Sequence, residues 1–409
     1  MSLDTNFVRQ QFPGLAGDWT FFDNAGGSQI LKPVIDKIGE YLVNNNVQTG
    51  GSYDVSLRSA NAVLKGREAI ATWVNAARPQ EVVLGPSTTV LLQNLSRSLS
   101  SQWQEGDEII VTNSDHESNI GPWINLENKG VVTKFWEINA DTYELDLDQL
   151  KALMSEKTKL VCFTHASNIL GTINPVKEIT RLAHEHGAKV CVDAVAYAPH
   201  RAIDVLDWDV DYYAFSLYKT YGPHHAALYG KYDHLLKLDN LYHYFYQADQ
   251  VPGKLEPGNT NYELTYGSTA IVDYLSELGI QAGSSGSTRD NIVAAFSSIT
   301  THENKLGERL LGYLRSREDC RIIGLTEGDD PRRVPTISFI IDGKDPEQVC
   351  KKMDLHKIAM RFGDFHSRRL VEALGLAGNK GVLRVSMTHY NTIEEVDALI
   401  KALELVLDD

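Results

Sequence analysis

The chain reads as an α/β protein in two unequal units: a large domain around a mainly parallel seven-stranded sheet, and a smaller C-terminal α+β domain. Three observations predict this. Short apolar runs alternate with amphipathic helical stretches over the first two-thirds of the sequence, the pattern of a sheet covered by helices on both faces. The character changes after about residue 250, where turn residues crowd Val251-Pro-Gly-Lys-Leu-Glu-Pro-Gly-Asn-Thr-Asn261. A length of 409 residues also exceeds the size at which a single core stops growing.

The strand runs, in order, are 81–84, 108–112, 133–138, 159–164, 189–192, 212–215 and 226–229. Most are apolar on both faces. Between them, residues 147–154 set Leu147, Leu150 and Leu153 at helical spacing, and 176–186 put Ile179, Leu182 and Ala183 on one stripe. Beyond the loop, helices are expected at 268–278, 289–315 and 394–407, with strands at 336–341 and 382–386. The chain thus divides into an arm (1–20) packing on the small domain, a large domain (21–265) and the small domain (266–409).

Composition narrows the function. A net charge of -15 argues against nucleic acid or an anionic membrane as partner, so an anionic ligand needs a local site. No apolar run is long enough to span a bilayer and the first residues lack a signal-peptide pattern, which makes cytoplasm the expected location. The four cysteines show no metal spacing, and no metal is expected. Cys162 and Cys191 sit in apolar runs and read as buried. Cys320 and Cys350 fall in polar stretches near helix ends, where a thiol could react.

The most informative pair is Asp193 and Lys219. Each closes a strand run, and residues at the carboxyl ends of neighbouring strands face the crevice where open α/β sheets bind ligands. Pyridoxal phosphate chemistry uses that combination: a lysine amine condenses with the cofactor aldehyde, and a carboxylate keeps the pyridine nitrogen protonated. A surface lysine and a turn-capping aspartate would look the same by spacing alone. Gly85-Pro-Ser-Thr-Thr-Val90 follows a strand and opens a helix, a geometry that suits a phosphate and equally an ordinary N-cap.

Read together, Phe22-Asp-Asn-Ala-Gly-Gly-Ser-Gln29, Ser87-Thr-Thr89, Asp115-His-Glu-Ser-Asn-Ile120, Ser167-Asn-Ile-Leu-Gly-Thr172, Asp193, Ser216-Leu-Tyr-Lys219 and Leu383-Arg-Val-Ser-Met-Thr-His-Tyr-Asn391 resemble, in order and over nearly the whole chain, one family. It is the cysteine desulfurase-like branch of the class V aminotransferases, fold-type I pyridoxal 5'-phosphate enzymes. The resemblance implies catalytic roles for Lys219, Asp193 and His116, with His116 stacking on the pyridine ring and handling protons. It implies that Thr88, Thr89 and Ser216 hold the phosphate. Asn168 would hold the ring hydroxyl or the substrate, or cap its own turn. Arg384 would take the substrate α-carboxylate in its planar fork, unless it serves a structural ion pair. It further implies a homodimer in which the loop Glu256-Pro-Gly-Asn-Thr-Asn261, with Asn259, reaches the partner's cofactor phosphate.

The departures from the family are as informative. Ala196 stands where a glutamine usually bonds the ring oxygen, and Tyr218 stands where a histidine usually precedes the lysine. The loop resembling the one that carries the persulfide-forming cysteine is Met360-Arg-Phe-Gly-Asp-Phe-His-Ser-Arg-Arg369, and it has no cysteine. His366 there offers an acid/base or an aromatic lid, Asp364 a charge partner, and Arg361 and Arg368 a site for a second substrate carboxylate. The expectation is an enzyme acting on a small amino acid, by Cβ–S lyase chemistry without an enzyme persulfide. A class V aminotransferase or an epimerase uses the same residues, and a catalytically silent scaffold that kept the fold is a third reading.

Overall fold

The structure, a computed structural model, describes residues 3–408; residues 1 and 2 of the arm and residue 409 of the small domain lie outside them. After a two-residue strand, β1 (Thr20–Phe21), come the strands of the large sheet: β2 (Val82–Gly85), β3 (Glu108–Thr112), β4 (Val132–Trp136), β5 (Thr158–Thr164), β6 (Lys189–Asp193), β7 (Tyr212–Ser216) and β8 (Ala226–Gly230). Their order across the sheet is β2-β8-β7-β6-β5-β3-β4. Only β8 runs antiparallel to its neighbours; the rest pair in parallel.

These strands read as apolar on both faces because each face has its own core. Successive side chains alternate across the sheet. Ile110, Val161, Phe163, Val190, Val192 and Phe215 fall in one cluster, and Ile109, Val111, Leu160, Cys162, Cys191 and Ala214 in the other.

The small domain holds β9 (Cys320–Ile323), β10 (Thr336–Ile341), β11 (Ile358–Ala359), β12 (Arg361–Gly363) and β13 (Val382–Ser386). An antiparallel sheet runs β12-β13-β10-β9. Its core takes apolar residues of the helices Thr288–Arg315, Pro346–Leu355 and Ile393–Asp408. Among the described residues, no helix is long and apolar enough to cross a membrane.

The cores do not divide at residue 265. The helix Thr269–Gln281 and the first half of Thr288–Arg315 bury Ile271, Leu275, Ile292, Phe296 and Ile299 against the large sheet. Leu306, Leu310 and Leu314, farther along the same helix, belong to the small-domain core. The arm also differs from expectation, because it meets both domains. Val8 and Phe12 are buried in the large core, whereas Arg9 bonds the Tyr390 carbonyl at 2.8 Å and Glu395 at 2.7 Å. Next in sequence, β1 pairs with β11, and Phe22 fills the small-domain core.

Candidate active site

Strands β6 and β7 lie side by side and parallel, so their carboxyl ends open at one edge of the sheet. Asp193 ends β6, and Lys219 follows β7 by one short 3-10 turn. Both line one cleft. One carboxylate oxygen of Asp193 accepts the Val195 N–H at 2.9 Å. Burial pushes its acid up to about 6, against the opposing pull of that N–H and of Lys219. The Lys219 amine is buried too, and among the described residues it makes no hydrogen bond. Burial, then the nearby Arg384 charge, brings it down to about 8, while Asp193 and Asp23 resist. Desolvation disfavours both charges here, yet the pair remains poised to ionise near neutrality.

His116 faces the same cleft from the turn after β3. Its Nδ1 accepts the Ser118 N–H at 3.1 Å, which leaves the proton of the neutral ring on Nε2. Burial, then the charges of Lys219, His366 and Arg384, pushes it down to about 4. A histidine of ordinary pKa would offer both ionisation states near neutrality, but at pH 7 His116 is neutral.

The turn that carries His116 is held by Asp115, a residue to which the sequence assigned no role. Its carboxylate accepts the Thr112 hydroxyl at 2.5 Å, the Asn119 amide at 2.6 Å and the Thr164 N–H at 2.9 Å. Burial, offset by the Thr112 and Asn119 hydrogen bonds and reinforced by Asp193, brings it to about 7.

The helix Thr88–Leu99 starts at the rim of the cleft. Ser87 is its N-cap, accepting the Val90 N–H at 3.2 Å. Thr88 and Thr89 form the first turn, whose N–H groups have no partner within the helix. Their hydroxyls pair with Ser216 at 2.7 Å and Ser118 at 2.6 Å. Tyr218 and Ala196 complete the wall, with the Tyr218 ring stacked on His224 at 5.0 Å. Cap and anion cradle are therefore compatible readings of one segment.

From the small domain, Arg384 comes near enough for its charge to act on the Lys219 amine, without itself lining the cleft. Arg384, on β13, is 2% exposed. It donates to the Asn168 carbonyl at 3.1 Å and to Asp23 at 2.9 Å, lies 3.6 Å from the centre of the Phe365 ring, and leaves its buried Nε without a partner. Arg361 is its register partner on β12, held by the other Asp23 oxygen at 3.4 Å, with its side chain 56% exposed. The structural ion pair is thus formed, and of the Arg384 guanidinium only Nε lacks a partner among the described residues.

Asn168 is fixed by the Phe365 carbonyl at 3.0 Å and the Ser367 hydroxyl at 2.8 Å. Its turn closes at Gly171, with φ +71, where a Cβ would stand 2.4 Å from the Thr336 carbonyl oxygen. His366 approaches His116 with ring centres 5.2 Å apart.

Three further positions singled out in the sequence fall elsewhere. Asn259, at φ +71, does not line the cleft of its own chain. Cys350 belongs to the small-domain core and Cys320 packs against it, and burial pushes each thiol up to about 12, which disfavours the thiolate. Cys162 and Cys191 face each other across β5 and β6, fully buried. Asp23, Ser87, Asp115 and Ser118 were missed as site residues, although motifs quoted for the resemblance contain all four.

The residues present fit pyridoxal phosphate. The second Asp193 oxygen has no hydrogen-bond donor among the described residues and suits a ring N–H. The free Lys219 amine suits the aldehyde, and the hydroxyl-lined helix start suits a dianion.

Comparison with known proteins agrees. The aminotransferase class-V family matches residues 20–399. "Aminotransferase-like protein FGM3" of Gibberella zeae is 42% identical over 98% of each chain. "Cysteine desulfurase-like protein ustD" of Aspergillus flavus is 31% identical over 99% of this chain and 91% of its own. The apo structure of a cysteine desulfurase from Thermococcus onnurineus superposes with a TM-score of 0.88 at 26% identity, covering 100% of this chain and 99% of that one. A match that takes in both cores and every wall of the cleft places the chain in the class V aminotransferase family, as a cysteine desulfurase-like enzyme with pyridoxal 5'-phosphate as its cofactor.

Proposed function

We propose that this enzyme is a Cβ–S lyase of a small amino acid, releasing the sulfur product to solvent without passing it through a thiol of its own. The observation that carries this reading is the lining of the cleft. An amine, a carboxylate and two imidazoles converge on it and its mouth, and among the described residues no thiol does. A persulfide needs a thiolate as nucleophile.

Bound cofactor supplies the sink for the Cα electrons. Arg384 and Asn168 hold the α-carboxylate and fix which Cα bond faces the lysine. The Lys219 amine, with a proton affinity near neutrality, takes the Cα proton. Asp193 would offer its free oxygen to the ring nitrogen, Thr88, Thr89 and Ser216 would hold the phosphate, and neutral His116, which lines the same cleft, would cover the ring. Tyr218 replaces the usual histidine beside the phosphate.

The description of the 42% relative as aminotransferase-like favours a second reading, in which the same lysine returns the proton to another atom. Products separate the two. Holoenzyme incubated with a panel of amino acids should form pyruvate and a free thiol or sulfide from cysteine or its S-conjugates. Formation of a keto acid only when a second amino acid accepts the nitrogen would replace the lyase by a transaminase. A Cys320→Ser, Cys350→Ser double variant should keep full turnover, and a sulfur adduct whose loss abolishes turnover would restore a persulfide route.

A further inference from the structure

We propose that His366 is the acid of the C–S cleavage, the residue that hands the departing sulfur its proton. This rests on the lyase reading above. His366 lines the polar mouth that continues the cleft past His116, Thr89 and Tyr218, and its ring stands 5.2 Å from that of His116. This mouth, between the two imidazoles, offers a way out for the Cβ substituent of a substrate whose Cα lies at Lys219.

The backbone is bent to present the side chain there. Phe365 and His366 sit in succession at φ +49 and +61, a left-handed pair without glycine. Such strain persists where surroundings over-determine it, and it clusters at working sites. Here the His366 carbonyl accepts the Glu117 N–H at 2.8 Å, and the His366 N–H donates to Asp364 at 3.1 Å. Glu117 is itself tied to Arg369 at 3.1 Å, and Phe365 lies under Arg384. Contacts from both domains hold one exposed side chain in an unfavourable backbone.

The other groups have other work. Lys219 takes the Cα proton and Asp193 faces the ring. His116 is neutral, for the reasons given, and has no proton to spare at Nδ1. The charged and titratable groups facing His366 are Asp364, Arg368 and Arg369 from its own loop, and His116 and Glu117 from the turn opposite. His366 alone among the imidazoles of the cleft stands at the rim, where water returns its proton.

The step balances. The Cα proton passes to the Lys219 amine, the Cβ–S bond breaks with its electron pair on sulfur, and sulfur takes the proton of the His366 imidazolium. The released 2-aminoacrylate is hydrolysed to pyruvate and ammonium.

The test uses leaving groups of different basicity. S-Ethyl-L-cysteine expels a basic thiolate that needs a proton, whereas S-(4-nitrophenyl)-L-cysteine expels one that does not. His366→Asn is the first variant, because asparagine tolerates the left-handed backbone. Its holoenzyme should form pyruvate from the ethyl conjugate roughly 10²–10⁴-fold more slowly than wild type, and from the nitrophenyl conjugate at a nearly unchanged rate. His366→Gly, equally at ease in that backbone, should behave alike and regain ethyl-conjugate turnover when imidazole is added. Equal loss on both conjugates, or no loss on the ethyl one, overturns the assignment while leaving the lyase reading intact. Wild type that turns over neither conjugate overturns both.

Discussion

Lys219 carries the sharpest residue-scale consequence. Its amine is depressed to about 8 by burial and by Arg384, so capture of added pyridoxal phosphate by the apoenzyme should quicken as pH rises through about 8 and then level off. Arg384→Gln removes a repelling charge and should move that midpoint upward; an unmoved midpoint would show that Arg384 does not act on the amine. Borohydride reduction of the yellow holoenzyme should fix the cofactor to Lys219, and Lys219→Ala should lose colour and turnover together. Asp193→Asn keeps the shape and removes the charge, so it should bind cofactor yet lose activity by an order of magnitude or more, as for one charge-assisted contact. Normal turnover would mean that another group tunes the ring. These two residues were legible because an acid and a lysine at neighbouring strand ends carry their chemistry in their types. Asp115 and Asp23 were not, because their meaning lies in distant partners: Thr164 for one, Arg384 and Arg361 for the other.

At the scale of elements, all seven strands of the large sheet could be read, because each is flanked by turns and all but the edge strand β4 are buried on both faces. In the small domain β9, β11 and β12 escaped, as Cys-Arg-Ile-Ile, Ile-Ala and Arg-Phe-Gly have neither the length nor the alternation to signal a strand. A network at the opposite ends of β6 and β7 links those elements electrostatically. Buried Asp211, just before β7, accepts the Val190 N–H of β6 at 2.8 Å and pairs with His184 at 2.8 Å. Burial opposes the Asp211 charge, yet His184, Lys231 and the Val190 N–H hold its acid below the usual range. That stability is present above the unfolded carboxylate pKa of about 3.9 and is lost below it.

The hydrogen bond to Asp211 raises His184, so its share is present below about 6.5 and lost as pH rises through the folded value. His234 does the reverse. Burial pushes it down to about 4, so the unfolded chain takes up a proton that the folded one refuses, and stability falls as pH drops from about 6.5 towards 4. His234→Gln should flatten that limb of a urea-midpoint profile, and an unchanged slope would remove His234 as its cause.

For the whole molecule we propose a twofold homodimer with shared sites. Glu256 roots the loop that bears Asn259, bonding Arg67 at 2.7 Å and the Leu84 N–H at 2.6 Å, while Gly258 and Asn259 turn the tip outward at φ +83 and +71. Leu42, Val43, Leu57 and Leu64 leave apolar area exposed on the first two long helices, which suits contact with a second copy. Light scattering should give twice the chain mass, and Asn259→Ala should weaken cofactor retention. A fully active monomer would remove the model. Two domains were legible in sequence, but their seam was not, since one helix serves both cores and no change of composition marks the crossing point.

The threading of the first residues has a consequence for how the protein is made. Phe12 belongs to one core and Phe22 to the other, and the partner of β1 is β11, several hundred residues downstream. At ribosomal speeds of about 5–20 residues per second, that partner emerges tens of seconds after Phe22 does. Most of the large core can form while the ribosome is still working, but the segment around Phe22 must wait, apolar and unpaired, until β11 has been made, and Phe12 waits longer still for His389 and Tyr390. A segment made long before its partners is thus among the last to find its place, and for that interval it is the stretch a chaperone would be expected to guard.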